Sequence, residues 1–504
     1  MEATRPGGRG TRRQWLAWLC LALLGVAGCG AASSPKSQGR PNIVFVLTDD
    51  LSSNLVTPEF MPHLWALEHQ GATFANYFVT DSLCCPSRAS IFTGRYPHDT
   101  GIWANLGPEG GYRTFQRLGD DDSTLATDLA SAGYRAAMMG KYLNRYHIFD
   151  PPAPGWDVWD VADWGYPEFS YGMRQGDREV RYGGRHQPGH DNYLTDVLSR
   201  LAQGFVANTV RQHPSTPFYL EVATFAPHSP FTPAPRYAHL YPKLRYPVTP
   251  AFDAANVNPP LWLGQRKPLT SAQIRLINKD FRKRAESVKS VDDMIGALVA
   301  ELKREHRFRN TYFFFSSDNG LHMGEHRLMP GKLTAFDTDI HVPLIVVGPR
   351  VPADSGIAGF AENIDLRSTF DALAGTKPSE PVDGRSLTPL LFNPSSPQSV
   401  PKGWPQGVLV EHHGPDVNPE DPDFPSSGSG NPNSYEALRL PQALYVEYQD
   451  GEREYYDLAT DPYEIDNIYK SLSSSRARAL RQELVRLENC HDSPKCSDIT
   501  RPPP

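Results

Sequence analysis

The run Asn42-Ile43-Val44-Phe45-Val46-Leu47-Thr48, followed at once by Asp49-Asp50, decides how the chain folds. An uncharged, continuously apolar segment of this kind predicts a strand that is covered on both faces, as in mostly parallel sheets. A lone aspartate after a strand is often only a turn or a helix cap. Two adjacent carboxylates repel each other unless a cation lies between them, so this pair indicates a site for Ca²⁺ or Mg²⁺.

Similar apolar runs recur along the chain, and polar side chains follow several of them. We predict further strands at residues 133–141, 218–223, 311–317 and 342–347, and helices at residues 125–132 and 288–302. Lys141 ends the first of these strands, His228 follows the second, and Asp318-Asn319 follow the third. Because ligands of open α/β sheets bind at the carboxyl ends of strands, we expect these side chains to meet Asp49 and Asp50 in one crevice.

Three further stretches outside the predicted sheet have a composition that indicates their structure. Residues 150–190 are rich in Trp, Tyr, Gly and Pro, which predicts an irregular insertion over the pocket; its aromatic rings could stack on sugars or only pack. Residues 411–434 are rich in Pro, Gly, Ser and Asp and predict a mobile loop. Residues 445–458 predict a small antiparallel hairpin, and residues 474–488 a terminal helix.

Length and charge exclude some classes of function. The chain has 504 residues, which permits one large α/β domain and a smaller one. Its formal net charge is -7, so we expect no nucleic acid partner attracted by the overall field. Any anionic substrate must therefore be attracted by local positive charge.

The N-terminal segment predicts export. Arg12-Arg13 precede an apolar run at residues 15–27, which is shorter than the about 20 residues that a membrane span needs. Val26-Ala27-Gly28-Cys29 resembles a bacterial lipoprotein cleavage box with Cys29 as the lipidated residue, whereas a plain secretory signal is the alternative. We therefore expect a signal peptide at residues 1–28, a lipidated tether at residues 29–40, and a membrane-anchored or cell-surface bacterial protein, exported by the general or the twin-arginine route.

Two of the six cysteines lie close together near the C-terminus. In an exported protein Cys490 and Cys496 are expected to form a disulfide. A metal site is the weaker alternative, because His491 does not complete a tetrahedral set of ligands.

The segment Cys84-Cys85-Pro86-Ser87-Arg88, which runs on to Thr93-Gly94-Arg95, contains two adjacent cysteines. Pro86 fixes its own φ and biases Cys85 away from helix, whereas Gly94 permits a sharp turn. Arg88 places a permanent cation near the thiols. Both cysteines could be ordinary small apolar residues of the core, which is the common fate of free cysteine.

The full pattern, Cys-x-Pro-Ser-Arg followed by Ala-Ser, two apolar residues and Thr-Gly-Arg, resembles the signature of the sulfatase family. In that family a dedicated formylglycine-generating enzyme oxidises the first cysteine, which implies modification of Cys84. The resemblance also implies an alkaline-phosphatase-like α/β sandwich with a mostly parallel central sheet and a small C-terminal α+β subdomain. We assign residues 41–400 to the catalytic domain and residues 401–504 to the subdomain.

Residues 133–141 resemble the second sulfatase signature, with departures at Ala136 and Met139. Many members of the family carry a histidine two positions after the lysine, where this chain has Leu143. Lys141-Tyr142-Leu143-Asn144 resembles instead the branch of N-acetylglucosamine-6-sulfatases and heparan sulfatases. The proton-shuttling role of that position is therefore not carried over to this chain.

The resemblance implies a role for each candidate site residue. The implied metal ligands are Asp49, Asp50, Cys84, Asp318 and Asn319. The implied catalytic residues are Cys84, Arg88, Lys141, His228 and Lys332, of which Lys141, His228 and Lys332 also contact the substrate together with His322. We expect Ca²⁺ rather than Mg²⁺, because flexible carboxylate-rich shells suit the larger ion.

The implied reaction is hydrolysis of the sulfate esters of small molecules or glycans, most simply sulfated sugars or glycosaminoglycan-like chains. A formylglycine gem-diol made from Cys84 would attack sulfur while the metal polarises the sulfuryl group. Two alternatives stay open: a phosphomonoester or phosphonate hydrolase of the same fold, and an inactive surface lipoprotein that binds glycans. The presence of every implied metal ligand argues against the second alternative.

Overall fold

In the computed structural model, the apolar segment Asn42–Thr48 forms strand β1 at the centre of a ten-stranded sheet. The structure describes residues 39–183, 192–392 and 400–499. The predicted signal peptide and Cys29 lie outside the described residues. No helix within the described ranges has the length and apolar character needed to cross a membrane.

The described residues form sixteen strands and twelve α-helices. The strands are β1 Asn42–Thr48, β2 Ala72–Phe74, β3 Tyr77–Phe78, β4 Arg135–Gly140, β5 Val158–Ala162, β6 Gly172–Gln175, β7 Arg178–Arg181, β8 Phe218–Ala223, β9 Thr311–Ser317, β10 Leu344–Val347, β11 Ser355–Ile357, β12 Ala361–Glu362, β13 Val408–His412, β14 Tyr435–Leu440, β15 Ala443–Tyr448 and β16 Arg453–Asp457. The helices are α1 Pro62–Glu68, α2 Cys84–Thr93, α3 Pro97–Thr100, α4 Tyr112–Leu118, α5 Leu125–Ser131, α6 Leu194–Gln212, α7 Leu261–Gly264, α8 Ser271–Arg304, α9 Asp337–Ile340, α10 Asp365–Ala374, α11 Thr388–Leu391 and α12 Ser474–Glu488.

The large sheet is mixed, with a parallel centre. Its strand order is β11-β2-β10-β9-β1-β8-β4-β5-β6-β7. The parallel pairs are β9–β1, β1–β8, β8–β4 and β4–β5. The pairs β9–β10, β5–β6 and β6–β7 are antiparallel. The predicted strands at the centre are thus confirmed, and their carboxyl ends lie along one edge of the sheet.

Both faces of the sheet are covered, as the uncharged sequence of β1 predicts. Ile43, Phe45 and Leu47 belong to one buried apolar cluster, and the ring of Phe45 lies 5.7 Å from that of Phe370 in α10. Val44 and Val46 point to the opposite face and belong to a second cluster, together with side chains of α1, α6 and α8. Because successive side chains of a strand alternate between faces, one strand contributes to both layers of the core.

Helix α8 is longer than its apolar pattern indicates. The predicted helix at residues 288–302 is confirmed, but α8 begins at Ser271. Its start is fixed by a reciprocal pair of hydrogen bonds between Thr270 and Gln273, the arrangement that satisfies free N–H groups at a helix N-terminus. The first half of the helix is rich in charged side chains, which obscures the apolar spacing there.

The cysteine-containing segment corrects one prediction. Helix α2 begins at Cys84, so Cys85 is helical rather than held outside a helix by Pro86. Proline is tolerated in the first turn of a helix, where its missing N–H would have no intrahelical partner. The turn expected at Gly94 is present: this residue has φ 68° and ends the helix, with its N–H donating to the carbonyl of Ser90.

Two further segments are more regular than predicted. Residues 150–190 are not simply irregular, because they contain β5, β6 and β7, which extend the large sheet. The predicted hairpin is β15–β16, which belongs to a four-stranded antiparallel sheet of β13 to β16. Leucines of α12 pack on this small sheet, and a disulfide joins Cys490 to Cys496 just after the helix.

Candidate active site

The polar segments after the central strands lie side by side. Thr48 at the end of β1 pairs with Ser317 at the end of β9, and the N–H of Asp318 donates to the carbonyl of Thr48 at 3.1 Å. The N–H of Lys141 donates to the carbonyl of Ala223 at 2.8 Å, which joins the ends of β4 and β8. The structure therefore brings Asp49-Asp50, Asp318-Asn319 and Lys141 together at one edge of the sheet.

The carboxylate side of the site is held by hydrogen bonds among its own members. Asp50 has φ 63°, a left-handed conformation that is uncommon outside glycine. Its main-chain N–H donates to Asp318 Oδ1 at 3.2 Å, Asn319 Nδ2 donates to Asp50 Oδ1 at 2.6 Å, and Arg284 of α8 donates to its carbonyl. These contacts hold Asp50 in a conformation that costs free energy, as is common at functional sites.

Each carboxylate is paired with a buried cation. Lys141 Nζ lies 2.5 Å from Asp49 Oδ2, Lys332 Nζ lies 2.6 Å from Asp50 Oδ1, and Arg88 Nε lies 2.8 Å from Asp318 Oδ2. A buried ion pair is stable only when its charges are close and hydrogen-bonded, a condition that these pairs meet. The site therefore contains both carboxylate oxygens of the kind that a metal ion prefers and cations of the kind that an anion prefers.

Cys84 lies between the two sets of charges. Its Sγ lies 3.1 Å from Asp49 Oδ1 and 2.9 Å from Lys332 Nζ. Burial, together with the carboxylates of Asp318, Asp423 and Asp49, raises the pKa of the Cys84 thiol well above its usual value. An unmodified Cys84 is therefore a neutral thiol, which is a weak nucleophile.

Cys85 has different surroundings, although it is adjacent. Its side chain belongs to the apolar cluster beneath the sheet, and its N–H donates to Asn105 Oδ1 at 2.9 Å. The interpretation as an ordinary small apolar residue of the core thus fits Cys85. It does not fit Cys84, which lies among charged groups.

The residues at the strand ends fit a hard divalent cation. Ligand atoms of Asp49, Asp50, Cys84 and His228 all lie within 4.8 Å of one another. Asn319 Oδ1 is buried and has no hydrogen-bond partner among the described residues. A buried amide oxygen with free lone pairs beside carboxylates is the donor set that Ca²⁺ or Mg²⁺ prefers.

A carboxylate that was not predicted completes the site. Asp423 Oδ1 lies 2.6 Å from His228 Nε2 and 2.9 Å from Lys332 Nζ, and Asp423 Oδ2 lies 3.5 Å from Cys84 Sγ. Burial opposes protonation of His228, but the carboxylates of Asp50, Asp423 and Asp49 outweigh it and raise the pKa of His228 to about 9. His228 and Lys332 thus present two positive charges to one buried anion.

Asp423 shares a local sequence pattern with His228, because each lies between two prolines. Pro422-Asp423-Phe424-Pro425 has the same spacing as Pro227-His228-Ser229-Pro230. The loop predicted as mobile at residues 411–434 instead begins inside β13 and covers the site.

Asn105 and Tyr166 were also missed. Asn105 Nδ2 donates to Asp423 Oδ2 at 2.7 Å and to Asp421 Oδ1 at 3.0 Å, so this side chain ties the covering loop to the start of α2. The ring of Tyr166 lies 5.0 Å from Lys141 Nζ and 4.6 Å from the His228 ring. Tyr166 belongs to the aromatic insertion, where no pattern distinguished packing rings from site rings.

His322 is predicted to contact the substrate, and its ring lies beside Asp339 and Ser429. Its Nδ1 lies 2.9 Å from Asp339 Oδ2, and its Nε2 lies 2.7 Å from the carbonyl of Ser429. The main chain of His322 exchanges two hydrogen bonds with Gly331, next to Lys332. Since both ring nitrogens have partners within the protein, this geometry favours a role in positioning Lys332.

The site is enclosed from above by the segment that contains Asp423. Cys84, Asp50, Lys141, His228 and Lys332 are each at most 4% exposed. One cavity of about 280 Å³ lies beside Lys332, and another of about 210 Å³ lies beside Lys141, Trp164 and Tyr166. Pro422 lines both, so the covering segment separates two approaches to the same cluster.

Comparisons with solved structures show the fold. A structure described as a complex with its substrate D-glucosamine-2-N,6-O-disulfate has a TM-score of 0.72 at 21% identity, over 88% of this chain and 97% of that chain. A phosphonate monoester hydrolase of Agrobacterium radiobacter has a TM-score of 0.66 at 19% identity, over 88% of this chain and 95% of that chain. The predicted alkaline-phosphatase-like sandwich is thereby confirmed.

Comparisons of sequence show the family. A family model described as Sulfatase matches residues 41–376. N-acetylglucosamine-6-sulfatase of Homo sapiens is 32% identical, over 94% of this chain and 89% of that protein, and N-acetylglucosamine-6-O-sulfatase of Bacteroides thetaiotaomicron is 25% identical, over 93% and 89%. Because the family model covers more than half of the chain and its relatives align over nearly all of it, this protein belongs to the sulfatase family and is a sulfuric ester hydrolase.

Proposed function

We propose that this hydrolase removes sulfate from sulfated amino sugars, using a formylglycine made from Cys84 and a divalent metal at the strand ends. The relatives named above act by name on N-acetylglucosamine 6-sulfate, and the complex of similar fold contains a sulfated glucosamine. We extend the substrate class of these proteins to this chain because the relatives align over more than 90% of it.

The observation that carries the proposal is the position of the Asp423 carboxylate. It is held by His228 and Lys332 immediately beside Cys84. Charge-assisted hydrogen bonds to anionic oxygens are stronger than neutral ones. A site that binds the chain's own carboxylate next to the reactive position suits the oxygens of a sulfate ester.

The surroundings of Cys84 support modification of this residue. A neutral thiol is a weak nucleophile, and its sulfur is a poor ligand for a hard cation. Formylglycine would supply an oxygen nucleophile at the same position. Lys332 would contact that oxygen. The Arg88 side chain would stay in its present position, because it is paired with Asp318.

The remaining cations are arranged to stabilise negative charge that develops during ester cleavage. Lys141, His228 and Lys332 are fixed by ion pairs, so they need no rearrangement when charge appears on the sulfuryl oxygens or on the leaving oxygen. Fixed charges contribute most to catalysis when they bind the transition state better than the substrate.

The first prediction tests the reaction and its nucleophile together. Protein produced with a formylglycine-generating enzyme should release sulfate from glucosamine 6-sulfate, and mass spectrometry should find an aldehyde at Cys84. Cys84→Ala should abolish release, because no nucleophile remains. Cys85→Ala is the matched control and should retain substantial activity, since Cys85 packs in the core.

A panel of substrates distinguishes this proposal from the alternatives. Faster hydrolysis of a phosphonate monoester than of any sulfate ester would favour the phosphonate hydrolase. Binding of sulfated glycans without turnover, by protein that carries the aldehyde, would favour an inactive glycan-binding protein. Full activity of unmodified Cys84 would contradict the proposed nucleophile.

The second prediction concerns the metal, which we propose is Ca²⁺ bound by Asp49, Asp50, Asp318 and Asn319 with the oxygen derived from Cys84. Calorimetric titration of the chelated protein should show one tight site. Asn319→Ala should weaken that site strongly, because it removes the unpartnered amide oxygen. Unchanged Ca²⁺ affinity in Asn319→Ala would exclude this residue as a ligand, and preference for Mg²⁺ would correct the ion.

The third prediction concerns Asp423. Its carboxylate competes with any anion for His228 and Lys332, so Asp423→Asn should lower the Kd for inorganic sulfate by about tenfold or more, as removal of a buried like charge implies. Isothermal titration calorimetry measures this directly. Asp416→Asn, in the same loop but outside the cluster, should change the Kd much less; weaker sulfate binding by Asp423→Asn would show that Asp423 assists the anion site.

The fourth prediction concerns location. We propose that Cys29 is lipidated after export and anchors the protein to a bacterial membrane, because the residues before it match a lipoprotein cleavage box. Cys29→Ala should move the protein from the membrane fraction to the soluble fraction without loss of specific activity. Native protein found wholly in the soluble fraction would favour plain secretion instead.

A further inference from the structure

A third cavity, of about 560 Å³, is lined in part by Asp416, Asn418 and Asp421 of the segment that covers the site. We call this cavity the acidic trough. Its lining includes Leu106, Glu109, His412, His413, Asp416 and Glu436. Leu106 also lines the cavity that contains Lys141 and Tyr166, so the two cavities adjoin. The trough therefore borders the cavity that contains Lys141 and Tyr166.

The lining of the trough is acidic, in contrast to the cations of the anion site, but burial raises the pKa of Glu436 to about 7 and that of Asp421 to about 6. Its described lining includes four carboxylic acids and two histidines but neither lysine nor arginine. Asp416 and Glu109 are positioned by their surroundings: the N–H of Asn418 donates to Asp416 Oδ1 at 2.8 Å, and Glu109 Oε2 lies 3.7 Å from His413 Nδ1. A second anionic group would be repelled here, whereas hydroxyl groups would find acceptors.

One wall of the trough contains a stacked pair of rings. The ring of His413 stacks on Trp103 with centroids 3.6 Å apart and an angle of 4° between the rings. His412 is 1% exposed, and its Nδ1 lies 3.9 Å from Oδ1 of the buried Asp81. Rigid aromatic walls with a few polar groups are typical of sites that bind small organic rings.

A short segment and its hydrogen bonds link the trough to the charged groups around Cys84. Asp421 lines the trough, and Asp423, two residues later, contacts His228 and Lys332. Asn105 donates a hydrogen bond to each of these aspartates. A ligand in the trough would thus lie against the same short segment that covers the reactive position.

We propose that the acidic trough binds the sugar unit next to the one that carries the reacting sulfate, and that it selects units without a sulfate of their own. This inference rests on the proposed function and deepens it, because it assigns the substrate class as an oligosaccharide with one sulfated unit at the site. The hydroxyls of a neutral ring donate to the carboxylates, and a second sulfate is rejected by their charge.

The test compares two disaccharides that differ by one group. Both carry a 6-sulfate on the reacting glucosamine, and only the second carries a sulfate on the neighbouring unit. The modified enzyme should favour the first by at least about tenfold in kcat/KM at low salt, since like charges brought together across an interface are costly. This preference should shrink as salt rises, because the Debye length falls from about 30 Å at 0.01 M to about 10 Å at 0.1 M.

Charge variants identify the trough as the source of the preference. Glu109→Gln combined with Asp416→Asn should bring the ratio of the two kcat/KM values towards one. Glu380→Gln, an exposed carboxylate outside the trough, is the matched control and should leave the ratio unchanged. His413→Ala should raise KM for the disaccharide more than KM for glucosamine 6-sulfate.

Binding to the full-length Cys84→Ala variant gives a second measurement that needs no turnover. Calorimetry should show the same preference for the disaccharide with one sulfate. Equal binding and equal kcat/KM for the two disaccharides, or a ratio that the double variant leaves unchanged, would overturn the inference. Absence of sulfate release from every substrate would overturn the proposed function instead. Calorimetry would still show whether the trough distinguishes the two disaccharides.

Discussion

The compensation of buried charge at the edge of the sheet is the constraint on which the rest of the site depends. Asp49, Asp50 and Asp318 are almost completely removed from solvent, and each lies against a lysine or an arginine. Loss of one partner of a buried pair leaves an uncompensated charge and typically costs about 3–5 kcal/mol. The cations that we propose to act on sulfate therefore also compensate the charge of the buried carboxylates. Each of these cations has both a catalytic and a structural role.

This arrangement is possible because four neighbouring strands end together. Parallel pairing of β9, β1, β8 and β4 places the residues after each strand at one edge, while the apolar strands themselves fill both layers of the core. Helix α8 adds a support from one layer, since Arg284 reaches the carbonyl of Asp50. The rigid part of the protein thus positions the charges, and loops complete the pocket.

The covering segment gives the site its asymmetry. Asp423 lies against the cations, whereas Asp421 faces the acidic trough. In the proposed mode of binding, a substrate presents its sulfate to the positive cluster and its uncharged parts to the acidic trough. This division of charge suits recognition of one sulfate among hydroxyls better than recognition of a uniformly sulfated chain.

Local sequence patterns predicted the central strands β1, β4, β8 and β9 and the polar segments that follow them. These features follow from the continuous apolar character of a doubly covered strand and from motifs of fixed spacing. The pattern was misleading at Cys85, because proline is compatible with the first turn of a helix.

Only the tertiary structure decided which loop closes the site. Asp423 lies 339 residues after Cys84 in the chain, and its flanking prolines alone did not indicate a partner. The roles of Asn105 and His322 likewise depend on contacts between distant segments. Sequence periodicity records whether a residue is buried, but the identity of a buried group's partner is set by how separate segments pack, which no local pattern contains.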